Sequence, residues 1–336
     1  MKPRVAIVIV NWNGKADTLA CLHSLREDRY PNKQIFVVDN GSADDSIPAM
    51  REEFPEVILL EAGANLGFTG GNNLGIAHAL HVGADYVFLL NNDTICESDA
   101  LPALVSAAQN NPRFGLLTPV IHYFDRPEEP WFAGSRLDLG RALAVHDNSR
   151  VPARDEAPFE IPWASGCAML FPAELLQRLG GFDDRYFLNW EDVDLSLRAR
   201  QFGYQIGLVP SASIRHKVGR SFRGIQPVGR YYYVRNWLLL LRLHAGAAWL
   251  PATARVLAGE ARDLLRVIVR REPAAWTRFV MTLRALWDRV RGRYGPLVRT
   301  RSELTEAQRS ACELCPATHR TSEELIAHRA QEGTAP

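Results

Sequence analysis

The chain is poor in several features that would settle its class at once. Five cysteines, Cys21, Cys96, Cys167, Cys312 and Cys315, are spread over 336 residues, too few and too scattered for a disulfide framework. This excludes a small disulfide-stapled domain and leads to the expectation of a reducing, cytoplasmic setting. No signal-peptide pattern is expected either, since Met1-Lys-Pro-Arg runs directly into Val5-Ala-Ile-Val-Ile-Val10. Long hydrophobic runs are missing as well. Trp237-Leu-Leu-Leu-Leu241 is cut by Arg242 and His244, far short of the roughly 20 residues a spanning helix needs. No G-x-x-x-x-G-K-[ST] phosphate loop occurs. Gly63, Gly67, Gly70 and Gly71 invite a dinucleotide reading, but that fingerprint must follow the first strand. Here the first strand ends in Asn11-Trp-Asn-Gly14, which excludes a Rossmann dehydrogenase.

What is present is a globular composition, 47% hydrophobic, with a marked charge asymmetry. Residues 215–301 carry 19 Arg or Lys against four Asp or Glu, so an acidic body precedes a basic C-terminal third. In the body, short apolar runs alternate with helical stretches. Val5–Val10, Gln34–Asp39, Val57–Leu60 and Tyr86-Val-Phe-Leu-Leu-Asn-Asn-Asp93-Thr94 read as buried strands of βαβ units in a parallel sheet. Asp17 is expected to cap the first helix. After residue 95 the pattern predicts a helix at Ala100–Ala108, a strand at Phe114–Ile121, hairpin and loop over Asp125–Pro162, and a return to the sheet at Trp163–Phe171. Helices at Ala173–Leu179 and Val193–Phe202 follow, then a strand at Tyr204–Val209 and a separate short edge element at Ile214-Arg-His216. Beyond Pro227 the sequence reads as helix with recurrent Leu, Val, Trp and Arg. The expected organisation is a catalytic domain at 1–225, a basic amphipathic helical region at 226–300 and a polar tail at 301–336.

Three of the four early strands end in Asn or Asp, and the other runs into the glycine- and asparagine-rich loop at 63–73. In open α/β sheets the carboxyl ends of the strands form the ligand crevice. The rim therefore carries Asn11, Asp39, Asn65, Asn72 and Asp93, with Glu191 and Asp192 arriving from a later loop. Asp39 can accept hydrogen bonds from a base or ribose. Gly70 and Gly71 would let a ligand approach the backbone, Asn72 and Asn73 would supply amides, and Asp93 would hold a cation on a diphosphate. Singly, each of these residues also has an ordinary structural use. The convergence of all of them on one rim carries the functional reading.

At this point the motifs resemble a known family. Val5-Ala-Ile-Val-Ile-Val-Asn-Trp-Asn, Val37-Val-Asp-Asn-Gly-Ser42, Asn65-Leu-Gly-Phe-Thr-Gly-Gly-Asn-Asn73, Leu90-Asn-Asn-Asp-Thr94 and Trp190-Glu-Asp-Val-Asp-Leu195 are similar to family 2 glycosyltransferases, in particular the bacterial rhamnosyltransferase-like branch. The resemblance implies a GT-A fold: an α/β architecture with a mostly parallel central sheet flanked by helices, followed here by a helical C-terminal region. It also implies a nucleotide-sugar donor, a divalent metal and inversion at the anomeric carbon. By that likeness Asn11, Asp39 and Asn40 lie near the nucleotide. Asn65, Gly67, Gly71, Asn72 and Asn92 lie near ribose, phosphates and donor sugar, with Asp93 on the metal. The family's usual D-x-D is here Asn91-Asn92-Asp93, which leaves one carboxylate and calls for a second ligand. His216, 24 residues after Asp192, takes that role by likeness to galactofuranosyl transferases. The cation would be Mg2+ or Mn2+, and an imidazole ligand suits Mn2+ better.

Inversion in one displacement needs a base for the acceptor hydroxyl proton. Asp192 is expected in that role, with Glu191 orienting the acceptor and Trp190 offering a sugar ring an apolar face. Asp194 is expected to support the helix N-terminus through its dipole. The expected activity is transfer of a sugar, rhamnose from dTDP-rhamnose, to a glycan or lipid-linked acceptor in surface-polysaccharide synthesis. UDP-galactofuranose, a UDP-hexose or a UDP-N-acetylhexosamine are alternative donors, and a non-catalytic nucleotide-sugar-binding protein is the alternative class. The basic helices suit the anionic face of a membrane, or else pack on the catalytic domain or on a second subunit in a homodimer. No nucleic-acid motif accompanies the charge. Cys312-x-x-Cys315 with His319 and His328 hints at zinc without the spacing of a finger.

Overall fold

A computed structural model of the chain describes residues 1–218, 226–270 and 275–297. The tail at 301–336, including Cys312 and Cys315, lies outside the described residues. The amino-terminal half alternates strand and helix: β1 (Val5–Asn11), α1 (Lys15–Glu27), β2 (Lys33–Asp39), α2 (Ser46–Glu53), β3 (Ile58–Glu61), α3 (Gly67–His81) and β4 (Tyr86–Asn91). Val5 to Ile9 are each at most 1% exposed, because a parallel strand between two helical layers buries both of its faces. Each such side chain contributes about 1.5–3 kcal/mol relative to exposure, so the run commits β1 to the middle of the sheet. Helix α3 lies close on β1, and that approach requires glycine. A Cβ at Gly75 would come within 2.2 Å of Val8 Cγ1, and one at Gly71 within 2.9 Å of Val10 Cγ1.

The second half adds β5 (Thr94–Cys96), α4 (Ala100–Asn110), β6 (Phe114–Tyr123), β7 (Pro130–Phe132), β8 (Ser135–Asp138), β9 (Leu143–His146), β10 (Phe159–Glu160), β11 (Ala168–Pro172), α5 (Ala173–Leu179), α6 (Glu191–Gln201) and β12 (Gln205–His216). The main sheet runs β10-β12-β6-β11-β4-β1-β2-β3, with β5 on β12 and β7 on β6. The parallel pairing expected from the βαβ units holds across β4-β1-β2-β3, while β11 inserts antiparallel to both β4 and β6.

Two local expectations are corrected. The separate strand and edge element expected at 204–209 and 214–216 are one strand, β12. Its register on β6 slips between Val209 and Ser213, where Pro210 has no N–H to offer the ladder. Asp17 does not cap α1; the cap position is Gly14, and Asp17 instead accepts a hydrogen bond from Lys217 Nζ at 2.6 Å.

The C-terminal helices are α7 (Gln226–His244), α8 (Trp249–Val269) and α9 (Ala275–Val290). Helix α7 belongs to the core: Trp237 and Leu238 to Leu241 are all buried. Helices α8 and α9 pack on α7 from outside.

Candidate active site

The strand register sets the first half of the rim. Asn11 at the end of β1 lies opposite Asp39 on β2, and Asp39 opposite Glu61 on β3. Asn11 is completely buried. Its Nδ2 donates to Asp39 Oδ1 at 2.9 Å and to Ser42 Oγ at 3.1 Å, and its Oδ1 accepts from Thr18 Oγ1 at 2.7 Å. Asn40 donates to the Gly67 carbonyl at 3.0 Å and accepts from Leu66 N–H at 2.9 Å. Asn72 donates back to the Phe68 carbonyl at 2.9 Å, and Asn73 bridges both ways to Phe182. Asn92 donates to Thr18 Oγ1 at 2.9 Å. These carboxamides hold loops to one another, so a role as direct donor contacts is not what their bonding expresses. What they shape is the setting of Asp39, the exposed Asn65 and the Trp12 ring, which is 43% exposed.

The start of α3 is similarly committed. Gly67 N–H donates to Asn65 Oδ1 at 2.8 Å, and the N–H groups of Phe68 and Thr69 donate to the Phe187 carbonyl at 2.8 and 3.3 Å. The helix N-terminus expected near the phosphates is therefore satisfied by protein. Gly67 has φ +74°, and a Cβ there would meet Phe187 at 2.5 Å. Gly71 makes room for Val10, as described above.

Asp93 and His216 come together. β5 pairs with β12 so that His216 lies opposite Thr94, and His216 Nε2 is 3.1 Å from Asp93 Oδ1 with both side chains under 10% exposed. Burial alone would lower the His216 pKa, but Cys167 and Asp93 beside it outweigh burial and lift it to about 10. His216 Nδ1 is buried with no hydrogen-bond partner among the described residues. The ring packs edge-on against Trp131 at 4.7 Å, and Trp131 packs in the same way against His146.

The acidic loop forms the other wall. Phe187, Asn189 and Trp190 have φ of 63°, 70° and 73°, a left-handed conformation that Asn tolerates and that costs Phe187 and Trp190 roughly 1–2 kcal/mol each. Two buried side chains of α7 hold it. Arg235 donates to the carbonyls of Gly295, Arg185 and Tyr186 at 2.7, 3.0 and 3.1 Å, and Asn236 to those of Tyr186, Leu188 and Asn189 at 2.7, 2.7 and 3.1 Å. The start of α6 at Glu191 is fixed by the loop held in this way. Trp190 stacks on Trp237 at 4.2 Å, so one face of the ring expected to meet a sugar is already covered.

Glu191 is 6% exposed, and its Oε2 has no partner among the described residues. Burial, then the neighbouring Asp192 charge, push its carboxyl well above the usual range. Asp192 is half-buried; its Oδ2 accepts from Gly166 N–H at 2.9 Å and its Oδ1 from Val193 N–H at 2.8 Å. Burial raises its pKa too, opposed by those two N–H groups and by His146. Asp194 faces the other way, into the core, and not toward the helix dipole alone. It accepts from Arg198 Nε at 2.7 Å, pairs with His244 Nε2 at 2.8 Å and meets Tyr186 Oη at 3.3 Å. Burial would raise its pKa; Arg198 and His244 overcome that and hold it far below the usual range.

One short turn joins the two acidic stations. Gly166 N–H bonds Asp192, while the next residue, Cys167, contacts His216. Adjacent Cα atoms are about 3.8 Å apart, so the Asp192 carboxylate and the Asp93–His216 pair are brought close together.

The family model for Glycosyl transferase family 2 matches residues 6–180. The chain belongs to this family. An N-acetylglucosaminyl-diphospho-decaprenol L-rhamnosyltransferase of Mycobacterium tuberculosis is 30% identical to this glycosyltransferase over 242 residues, 66% of this chain and 78% of that protein. A dTDP-rhamnosyl transferase of Shigella flexneri is 25% identical over 251 residues, 72% of this chain and 81% of that one. Among solved structures, a mannosyltransferase from Pyrobaculum calidifontis in complex with GDP-Man and Mn2+ superposes with a TM-score of 0.54 at 20% identity, covering 86% of this chain and 88% of that one. S. aureus TarS superposes with a TM-score of 0.54 at 13% identity, covering 98% and 92%. The glycosyltransferase thus has the GT-A fold that its motifs imply.

Its Asp93–His216 pair fits a divalent cation. The 3.1 Å between His216 Nε2 and Asp93 Oδ1 is that of a hydrogen-bonded ion pair. It also matches the roughly 3 Å between two ligands at about 2.1 Å on one ion, so a cation would take the place of the imidazolium proton. Among the described residues no group of three or more His, Cys, Asp or Glu gathers as a ligand set, so the remaining ligands would come from donor phosphate and water, the common pattern for hard cations on nucleotides. The residues that motif reading missed are Arg235, Asn236 and His244, which lie in a stretch readable only as basic helix. Trp131 and His146 were also missed, hidden in a loop-rich segment with no periodicity to place them.

Proposed function

We propose that the chain is an inverting, metal-dependent glycosyltransferase moving rhamnose from dTDP-rhamnose to a glycan or lipid-linked acceptor in surface-polysaccharide synthesis. The observation that carries the reaction type is the Gly166–Cys167 turn, with the Glu191–Asp192 carboxylates on one side and the Asp93–His216 pair on the other. Asp192 keeps a lone pair on each oxygen after accepting its two backbone N–H bonds, and takes the acceptor hydroxyl proton as that oxygen attacks the anomeric carbon. The bond from the anomeric carbon to the diphosphate breaks in the same displacement, which inverts the centre. Glu191, favoured in its protonated form, can donate a hydrogen bond to an acceptor hydroxyl. Asp93 and His216 would hold Mg2+ or Mn2+, and a bound cation supplies charge neutralisation for the leaving diphosphate. Asp39 accepts hydrogen bonds from the nucleoside.

The names of the mycobacterial and Shigella relatives favour rhamnose and, for the former, a lipid-linked acceptor. The Asp93–His216 pair keeps UDP-galactofuranose as the second donor, alongside a 29% identical galactofuranosyltransferase of Mycolicibacterium smegmatis. A thermal-shift screen of dTDP-rhamnose, UDP-galactofuranose, UDP-hexoses and UDP-N-acetylhexosamines with Mn2+ or Mg2+ tests the reading. The matching donor at 100 times its Kd should add about 2.7 kcal/mol of stability, and nucleotide diphosphate should be released on adding acceptor. Binding without release from any donor would instead support a non-catalytic binder.

A further inference from the structure

Ten of the fifteen large hydrophobic side chains exposed by the described residues lie between Leu250 and Val290. On α9 they are Trp276, Val280, Leu283, Trp287 and Val290, from 37% to 84% exposed. Spacings of three and four residues set all five along one stripe of the helix. Leu250, Leu257, Leu265 and Ile268 form the corresponding stripe on α8, from 38% to 61% exposed. The opposite sides of both helices are the ones already in use, with Ala252, Val267 and Ala285 buried. Soluble surfaces seldom carry contiguous apolar patches of this extent without a partner.

The charge around the stripes selects that partner. The described residues of 249–297 contain nine arginines, no lysine and three acids. Two of the acids are turned inward: Glu260 pairs with Arg230, and Asp288, 3% exposed, bonds Tyr231 and Arg284. Arg284 and Arg291 each follow a stripe residue by one position, so cations border the apolar line. Between α7, α8 and α9 a cavity of about 260 Å³ is lined by Arg230, Arg266, Arg270 and Arg278, with Asp263 as the acid in its lining. A second copy of this face would set arginine against arginine with little acid to answer it. No helix among the described residues is long and apolar enough to cross a membrane, so any lipid contact through these helices is made lying flat.

We propose that the α8–α9 face docks on the surface of an anionic lipid bilayer. The two stripes enter the acyl boundary, the flanking arginines meet lipid phosphates, and the arginine-lined cavity takes one phosphate headgroup. This stands apart from the donor and acceptor readings, because lipid binding is measured without either.

The test is co-sedimentation of the full chain with vesicles of phosphatidylcholine, with and without phosphatidylglycerol, beside its mass in solution by light scattering. The expected result is binding to the anionic vesicles that falls about 10-fold or more without phosphatidylglycerol or in high salt. The double variant Trp276→Glu/Trp287→Glu should lose that binding about 10-fold while its circular dichroism and Tm stay unchanged, since both side chains are exposed. Three outcomes overturn the proposal: no sedimentation of a monomeric wild type, binding that survives in the variant, or a wild-type dimer that ignores vesicles and is split by the variant.

Discussion

On the donor side of the rim, Asn11, Asn40 and Asn73 are buried with both their amide and carbonyl groups bonded to protein. On the proposed acceptor side Glu191, 6% exposed, is buried too and leaves an oxygen unanswered. An unpaired buried polar atom costs about 1–3 kcal/mol. The first turn of α6 repeats the contrast two residues apart. Asp194 is saturated by Arg198, His244 and Tyr186, and Asp192, half-exposed, keeps capacity toward the cleft. On this turn the saturated acid serves the scaffold, and the under-bonded one is the better placed for chemistry.

The sharpest way to break this contrast is to neutralise each acid of that turn. Asp192→Asn should lower sugar transfer by about 10²–10⁴-fold, the range of a lost general base, while stability falls by only about 1–3 kcal/mol, since the amide can accept just one of the two backbone N–H groups that the carboxylate holds. Transfer at the wild-type rate would falsify the base assignment. Asp194→Asn should do the reverse. It strands the buried Arg198 and costs about 3–5 kcal/mol in chemical denaturation, with activity per folded molecule largely kept.

Acidity sharpens the same pair. Asp194 has its pKa depressed by folding, so it adds stability above the unfolded value of about 4 and loses it as pH falls below that. Asp192 has its pKa raised, so it retains its proton to higher pH and the base form is lost as pH falls through that raised value. The acid limb of kcat/KM should therefore lie above the ordinary carboxylate range near 4, and a limb at or below 4 would contradict the burial of Asp192. The smallest effect belongs to the donor side. Asn40→Ala should cost about 1–3 kcal/mol of stability, and donor affinity measured by calorimetry should change less than stability does. A large loss of donor affinity with stability intact would move Asn40 from scaffold to contact.

The early strands were legible because both faces of β1 and β4 are apolar, and a run such as Val5–Ile9 has one way to be buried. The polar residues closing those strands were correctly located on the rim, but their bonding was not readable. An asparagine at a strand end looks the same whether it faces a ligand or another loop. The packing of Gly71 on Val10 was unreadable for the same reason, since a missing side chain looks the same whether it serves a phosphate or a neighbouring strand. Helix α7 was expected as a helix, but its place in the core was not, because Arg235, Asn236 and His244 look like solvated side chains of a basic helix until their partners in 185–194 are known.

By itself, then, the sequence determined the alternating α/β body and the polar rim, which follow from local periodicity and short spacings, and it carried motifs whose resemblance to family 2 glycosyltransferases pointed to the family. Only the tertiary structure decided which polar groups are spent. It brought His216 to Asp93 through the β5–β12 pairing, set Asp192 beside Gly166, and buried Arg235 against the carbonyls of a left-handed loop. Those contacts join residues far apart in the chain, and hydrogen-bond satisfaction is a property of the partners and not of the residue alone.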